Sequence, residues 1–190
     1  MTATRRRLPH VYPEGRWLFL TWCLHGALRT DEFAPPGKAS AGEAFRWMDR
    51  RLDAARGGVL GDKVAALVEE ALKVGAEWGR YELGPFVIMP NHVHALILPK
   101  MEVARLMRSL KGYTAREANR LLNRTGQPFW QKESYDHWVR DADEFLKIGA
   151  YIEKNPVCAG LAASPEAYRW SSAFFVDANV DAARVDACAT

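Results

Sequence analysis

Cysteine is scarce in this chain: three in 190 residues, Cys23, Cys158 and Cys188, far apart and with no CxxC pair. That spacing argues against a disulfide framework and a thiolate zinc site, leaving the three as small core or surface residues. Long apolar runs are missing too. The longest uncharged apolar stretches, 17–25 and 86–94, fall well short of the ~20 residues a membrane helix needs. No GxxxxGK[ST] loop is present, so nothing cradles a nucleoside triphosphate, and no internal repeat is visible. Neither charge sign dominates: 26 lysines and arginines against 23 acidic residues leave a net +3, too little to define a partner class. Arg5-Arg6-Arg7 would suit the start of a secretion signal, but Pro9, Pro13, Glu14 and Arg16 interrupt the apolar segment that must follow. A cytoplasmic location is expected.

What the chain does have is material for a core. With 48% hydrophobic and 26% charged residues it suits one compact domain, 1–173, followed by an acidic, disordered tail at 174–190. Residues 16–28, rich in aromatic and aliphatic side chains, read as a first buried strand. The proline-rich 31–40 is a loop. Helical spacing follows over 42–56 and 62–78, separated by Gly57-Gly58, with Asp62 as the N-cap of the second helix. Gly79 and Gly84 bracket a short strand at 80–83, which leads through Pro85 into the apolar run 86–99. That run reads as one strand, with Phe86, Ile88, Leu96 and Leu98 on one face and Val87, Met89, Val93 and Ile97 on the other. A long helix at 101–123 has an apolar stripe of Leu106, Leu110, Tyr113, Leu121 and Leu122, and stops at Thr125-Gly126-Gln127-Pro128. Residues 135–140 form a last strand. Asp141, with Glu144 three residues on, opens a helix that Pro156 ends after Asn155. This order predicts an α+β fold, a ferredoxin-like antiparallel sheet covered by helices, with an added terminal helix.

The chemistry starts at His92-Val93-His94 inside that apolar run. Side chains alternate along a strand, so residues two apart share a face at roughly twice the ~3.3 Å rise, and two imidazoles so placed can grip one cation. Sixty residues on, Tyr151 and Asn155 lie four apart on one helix face, about 6 Å along the axis, beside a docking stripe of Phe145, Ile148 and Ile152. If that face opposes the histidines, Asn155 Oδ1 can be a third metal ligand. Two imidazoles and an amide are all neutral, so they leave the ion's charge available to polarise a phosphate oxygen, which is Lewis-acid chemistry at a phosphodiester. Mg²⁺ or Mn²⁺ suits such a site, with zinc the poorer fit although imidazole accepts it. A phenol near pKa ~10 needs help to attack at neutral pH; the ion and Lys147, one turn earlier, are the expected sources. Attack by Tyr151 would exchange one phosphate ester for another and keep the joint resealable.

These residues carry a resemblance. MPNHVHALILP, then GQPFWQKESYDHWVRDADEFLKIGAYIEKNPVCAGL and SPEAYRWSSA, resemble the REP-associated tyrosine transposases, a branch of the single-tyrosine HUH transposases, over roughly 86–173. The resemblance implies an HUH endonuclease fold whose C-terminal helix carries the nucleophile. It implies metal binding by His92 and His94, completed by Asn155, and Tyr151 as the catalytic residue. It further implies cleavage and rejoining of single-stranded DNA at hairpin-forming palindromic repeats, by a monomer rather than a dimer. Cys158 stands where the family often has arginine, which bears on a local phosphate contact rather than on the chemistry. The alternative is a non-catalytic protein that binds DNA hairpins on the same scaffold.

Between 100 and 132 eight lysines and arginines face only Glu102 and Glu117, a local excess of +6. A solvated helix face would explain it, yet so strong an imbalance suits a phosphate track, for which Arg108, Lys111, Arg116 and Arg120 are the choices, with Arg5-Arg6-Arg7 as a possible arm. Trp130 is the aromatic chosen to stack an unpaired base, against a competing reading of Phe129, Trp130 and Trp138 as packing residues. Tyr113 and Tyr135 rival Tyr151 as nucleophile, but packing explains Tyr135 and a glycine neighbours Tyr113. His10, His25 and His137 read as structural or surface residues, Asn91 as a shaper of the start of the strand, and Trp170-Ser171-Ser172 as either a cap on the fold or a DNA contact.

Overall fold

The computed structural model describes residues 14–28, 41–55 and 60–176. The expectations for Arg5-Arg6-Arg7, His10, the 31–40 loop, Gly57-Gly58, Cys188 and residues 177–190 of the acidic tail lie outside the described residues; residues 174–176, expected to open that disordered tail, are helical instead. Four strands, β1 (Leu18–Cys23), β2 (Tyr81–Ile88), β3 (His92–Pro99) and β4 (Tyr135–Trp138), form one antiparallel sheet in the order β2-β3-β1-β4. Helices α1 (Ala41–Ala54) and α2 (Asp62–Glu77) fall between β1 and β2, α3 (Val103–Leu121) between β3 and β4, and α4 (Ala142–Cys158) follows β4, with a short α5 (Ser172–Val176) last. This is the ferredoxin-like arrangement, and the histidine strand is central. Among the described residues no helix is long and apolar enough to cross a membrane.

Strand parity assigns the two faces of the sheet. Thr21 pairs with His94, Cys23 with His92 and Phe19 with Leu96, so these six side chains share one face. Phe19 meets Phe45 of α1 and Tyr151 of α4 there, so α1 and α4 cover it. Leu18, Leu20, Trp22, Val93, Ala95 and Ile97 point the other way, on the side where Tyr81 of β2 donates to the Leu72 carbonyl of α2 at 2.8 Å. Helices α2 and α3 pack together over that second face.

Several sequence expectations change here. The run 86–99 is two strands: Met89-Pro90-Asn91 reverses the chain, and Phe86 to Ile88 belong to β2. The reversal resets the parity, so Phe86 and Ile88, opposite Ala95 and Val93, lie on the face away from the histidines, while Val87 lies opposite His94. The short strand at 80–83 therefore runs on through Gly84-Pro85, where the register shifts. An edge strand tolerates that proline, and a Cβ on Gly84 would press within 3.1 Å of Trp17 and 3.2 Å of Leu96. Gly61, not Asp62, is the N-cap of α2. The stripe of α3 turns on Leu106, Leu110, Thr114 and Ala118, four apart, which leaves Tyr113, Leu121 and Leu122 exposed. Helix α4 continues past Pro156 to Cys158, because a proline near the end removes one donor and the carbonyls of Asn155 and Pro156 still accept from Ala159 (3.0 Å) and Leu161 (2.8 Å). The Trp170-Ser171-Ser172 segment covers the free edge of β2, through Ile88 N–H to Trp170 O at 2.8 Å and a bridge from Val87 to Ser171.

The start of α4 is tied down by charge. Asp141 accepts from the Glu144 amide at 2.8 Å, and Glu144 accepts from the Arg140 amide (2.7 Å), the Arg140 guanidinium (2.7 Å) and His137 Nε2 (3.1 Å). The Arg140 guanidinium first, then the Arg140 amide and His137, hold the Glu144 carboxyl at about 2 instead of 4.5, against a smaller opposing effect of burial. A depressed carboxyl stabilises the fold above its unfolded pKa, so this contribution should be lost as pH falls from about 4.5 toward 2. Urea midpoints over that range should fall less steeply in Glu144→Gln than in the parent; parallel acid limbs would contradict the assignment.

Candidate active site

His92 and His94 are fully buried, and their Nε2 atoms face one another at 3.0 Å. Their outer nitrogens are held from behind. Asn91 donates its amide N–H to the carbonyls of Leu52 (2.7 Å) and Ala55 (3.3 Å), which turns its Oδ1 to His92 Nδ1 at 2.6 Å. An amide oxygen only accepts, so His92 carries its proton on Nδ1 and presents a lone pair at Nε2. Thr21 Oγ1 sits 2.7 Å from His94 Nδ1 and holds that ring from behind; a hydroxyl that accepts there leaves the His94 lone pair at Nε2. Burial first, and the neighbouring His94 second, push the His92 imidazole well below its ordinary pKa, which keeps it neutral.

The third arm of the cluster is Asp49 on α1, a residue the sequence reading did not single out. Its Oδ1 lies 3.0 Å from His94 Nε2 and 3.9 Å from His92 Nε2, is buried, and has no hydrogen-bond partner. Its Oδ2 accepts from the Tyr151 hydroxyl, with the Asn155 amide nitrogen at 3.4 Å. The expected set of three neutral ligands is therefore joined by a carboxylate. The helix did carry a signal: Phe45, Met48 and Leu52 are its buried stripe, and Asp49 is a carboxylate inside that stripe. One turn on, burial and the Asp49 charge raise Asp53 to about 6, with His94 opposing.

Asp49, His92 and His94 can each turn one ligand atom into a common volume. Two imidazole lone pairs and a carboxylate oxygen repel one another in a dry interior unless a cation sits among them. Two of the three separations, at 3.0 Å, are also what adjacent ligands ~2.1 Å from one ion would show, about 3 Å, while His92 Nε2 and Asp49 Oδ1 stand wider at 3.9 Å. The donor set thus fits a divalent metal. Asn155 is buried against it, its amide nitrogen 3.5 Å from His94 Nε2 and 3.3 Å from the Tyr151 oxygen, while its Oδ1 is buried and unpartnered. A half-turn of that amide exchanges the two atoms.

Tyr151 is packed for position. Its ring meets Phe45 (5.5 Å between centroids), His94 (6.0 Å) and Phe19 (6.3 Å), all edge-on. Lys147, expected to assist the phenol, is exposed; the group at the hydroxyl is Asp49, whose Oδ2 accepts its hydrogen bond. Of the rival tyrosines, Tyr113 is exposed on α3, beyond the other face of the sheet. Tyr135 packs on Phe45 at 4.8 Å, and burial first, with Asp136 and Glu144, pushes its phenol to about 12.

The structure does not bring the basic choices to this cluster. Arg108 is exposed and lines a groove of about 450 Å³ between α3 and the 127–136 segment, beside Leu20 on the second face. Lys111 lines it too, but its ammonium donates to the carbonyls of Gln131 (2.8 Å) and Lys132 (3.2 Å) and to Ser134 Oγ (3.1 Å). Arg116 and Arg120 share Glu117, each at 3.0 Å. Trp130 is buried and donates its indole N–H to Thr114 Oγ1 at 2.9 Å, a packing role.

A ferredoxin-like sheet whose central strand carries two histidines beneath a tyrosine-bearing helix defines the HUH class of fold. Residues 53–155, more than half of the chain, match the family model described as "Transposase IS200 like", and the chain belongs to that family. Asp49 lies just before the matched span. The fold is similar to a solved structure of a REP-associated tyrosine transposase bound to a REP hairpin, with a TM-score of 0.64 at 17% identity over 92% of this chain and 87% of that one. An uncharacterized protein of Haemophilus influenzae is 27% identical over 94 residues, 38% of this chain and 52% of the relative, so the chain spans about half the length of that curated relative.

The groups behind the histidines set how well the site holds an ion. Asn91→Ala and Thr21→Val should each weaken Mn²⁺ binding by about 10- to 100-fold, measured by titration calorimetry. Affinity unchanged in both would show that these contacts do not orient the imidazoles.

Proposed function

We propose that this chain cleaves and rejoins single-stranded DNA at hairpin-forming palindromic repeats, with Tyr151 as the nucleophile. The observation that carries the reading is the Tyr151 hydroxyl donating to Asp49 Oδ2 while Asp49 Oδ1 lies 3.0 Å from His94 Nε2. One carboxylate thereby links the attacking group to the cation-binding cluster. Membership of the transposase family and the fold shared with a hairpin-bound relative support the substrate class.

Asp49 orients the phenol and takes its proton as the tyrosine oxygen attacks the scissile phosphorus. The new bond is a phosphotyrosine ester; the bond to the 3′ oxygen breaks, and that oxygen takes a proton from water and leaves as a hydroxyl. Rejoining is the reverse attack by a 3′-hydroxyl, which gives its proton to water as Asp49 returns the tyrosine's proton to it. Because one ester replaces another, no nucleotide cofactor is consumed. The walls of Phe19 and Phe45 hold the ring and keep water from its flank. His92, His94 and Asp49, with Asn155 as a fourth candidate, would hold Mg²⁺ or Mn²⁺, and the ion when bound draws charge from a phosphate oxygen. Arg108, Arg116 and Arg120 are our candidates for backbone phosphates, joined by Lys111 if it is released from the loop carbonyls, with Trp130 shaping the loop beside them; the basic excess of α3 supports the choice. We take the acting unit to be a monomer, a reading that the meeting of nucleophile and cluster within one chain supports.

End-labelled hairpin DNA with Mn²⁺ should give a covalent adduct that Tyr151→Phe cannot form, and Asp49→Asn should slow its formation at least ~100-fold. Removing either histidine should abolish cleavage and leave most DNA affinity, which backbone contacts supply. Cleavage that persists in Tyr151→Phe would point to activated water, and hairpin binding without any adduct in the parent would point to a binding protein.

A further inference from the structure

On the sheet face away from Tyr151, α2 and α3 border a groove of about 550 Å³ whose chemistry the cleavage site does not use. Trp78 follows the last residue of α2, and its side of the groove is open: the residue is 65% exposed, with the Arg80 guanidinium 4.5 Å from the ring centroid. Across the groove Tyr113 of α3 is 45% exposed, with the Arg116 guanidinium 5.7 Å from its ring. Single exposed aromatics are ordinary on protein surfaces. Two in one groove, each with an arginine over its ring, make a platform on which flat rings can stack. The charges agree. Arg80, Arg108 and Arg116 line the groove against Glu70, and Arg116 shares its nearest carboxylate, Glu117, with Arg120.

Gly112 adds a separate observation. It stands in the middle of α3, where glycine is the poorest helix former after proline, yet a Cβ there would meet nothing within 4 Å. The fold therefore does not require a glycine. The residue lines both this groove and the one holding Arg108 and Lys111, so it forms a low saddle between them. A bare saddle on a basic helix lets a backbone approach closely.

We propose that the α2/α3 groove binds unpaired nucleotides of single-stranded DNA, with bases stacked on Trp78 and Tyr113, phosphates on Arg80, Arg108 and Arg116, and the strand crossing α3 at Gly112. The groove is distinct from the cleavage site but shares Arg108 and Arg116 with the phosphate contacts proposed above, so it rests on and deepens that reading; because binding is measured without cleavage, its failure and the failure of the cleavage reading are distinguishable. A fluorescein-labelled dT12 is titrated with the full-length chain in EDTA, where no adduct forms, and anisotropy is read. Trp78→Ala with Tyr113→Ala should weaken binding at least 10-fold. Gly112→Leu should weaken it at least 5-fold while melting no lower than the parent, since leucine is the better helix former and meets open space. Iodouracil in the same strand should crosslink to Trp78 or Tyr113 on irradiation. Affinities within twofold of the parent in both variants would overturn the proposal, as would crosslinks confined to other residues. So would a change of oligomeric state in sedimentation, which would make the groove a contact between copies.

Discussion

The rest of the structure is arranged around three electron-rich atoms held close together in a dry place. His92 Nε2, His94 Nε2 and Asp49 Oδ1 are brought together between the sheet and two helices, where water cannot screen them. A fold does not hold such atoms 3.0 to 3.9 Å apart for stability's sake; apolar residues of the same volume would serve that end better. The arrangement makes sense as a receptacle for positive charge. Asn91 and Thr21 serve it from behind, each occupying the outer nitrogen of one imidazole so that the inner one is free. Asn91 does more, because its amide also holds the last turn of α1, the helix that delivers Asp49.

The rest of the fold reads as support for that receptacle and for the phenol above it. The central position of β3 gives the histidines two strands as walls, and antiparallel pairing with β1 sets Thr21 beside His94. Helix α4 carries Tyr151 and Asn155 one turn apart, is pinned at its start by the Asp141 and Glu144 contacts, and packs Gly149 against Pro85. The two faces of the sheet then divide the labour. One holds the buried cluster under α1 and α4; over the other, α2 and α3 cover a buried apolar layer and carry basic, aromatic grooves at their borders.

How much of this was legible in the sequence depends on the range of the interaction. The HxH triplet and the Tyr151, Asn155 pair are local patterns, and local periodicity placed each on the right kind of element. The ferredoxin-like order followed from the sequence of elements, and motif resemblance supplied the class. The hairpin at Met89-Pro90-Asn91 was misread because apolar residues on both sides of Pro90 hide a reversal that only cross-strand pairing reveals, and with it went the facing of Phe86 and Ile88. Asp49 was missed for a related reason. It meets His94 across 45 positions, and its one local sign is a carboxylate amid Phe45, Met48 and Leu52. The basic excess of α3 was plain in composition, but Lys111 and Trp130 turn out to be engaged inside the fold, which no count of charges or rings can show.

The central claim is that one point in space belongs to a cation held by His92, His94 and Asp49 beside the Tyr151 oxygen. Crystals grown with Mn²⁺ and measured at the manganese edge test it most directly. The account predicts one strong anomalous peak about 2.1–2.2 Å from both Nε2 atoms and from Asp49 Oδ1, with the Tyr151 hydroxyl within reach of the ion's open side. A cluster that excludes the metal while manganese binds elsewhere, or a tyrosine turned out to solvent when the ion is in place, would contradict it.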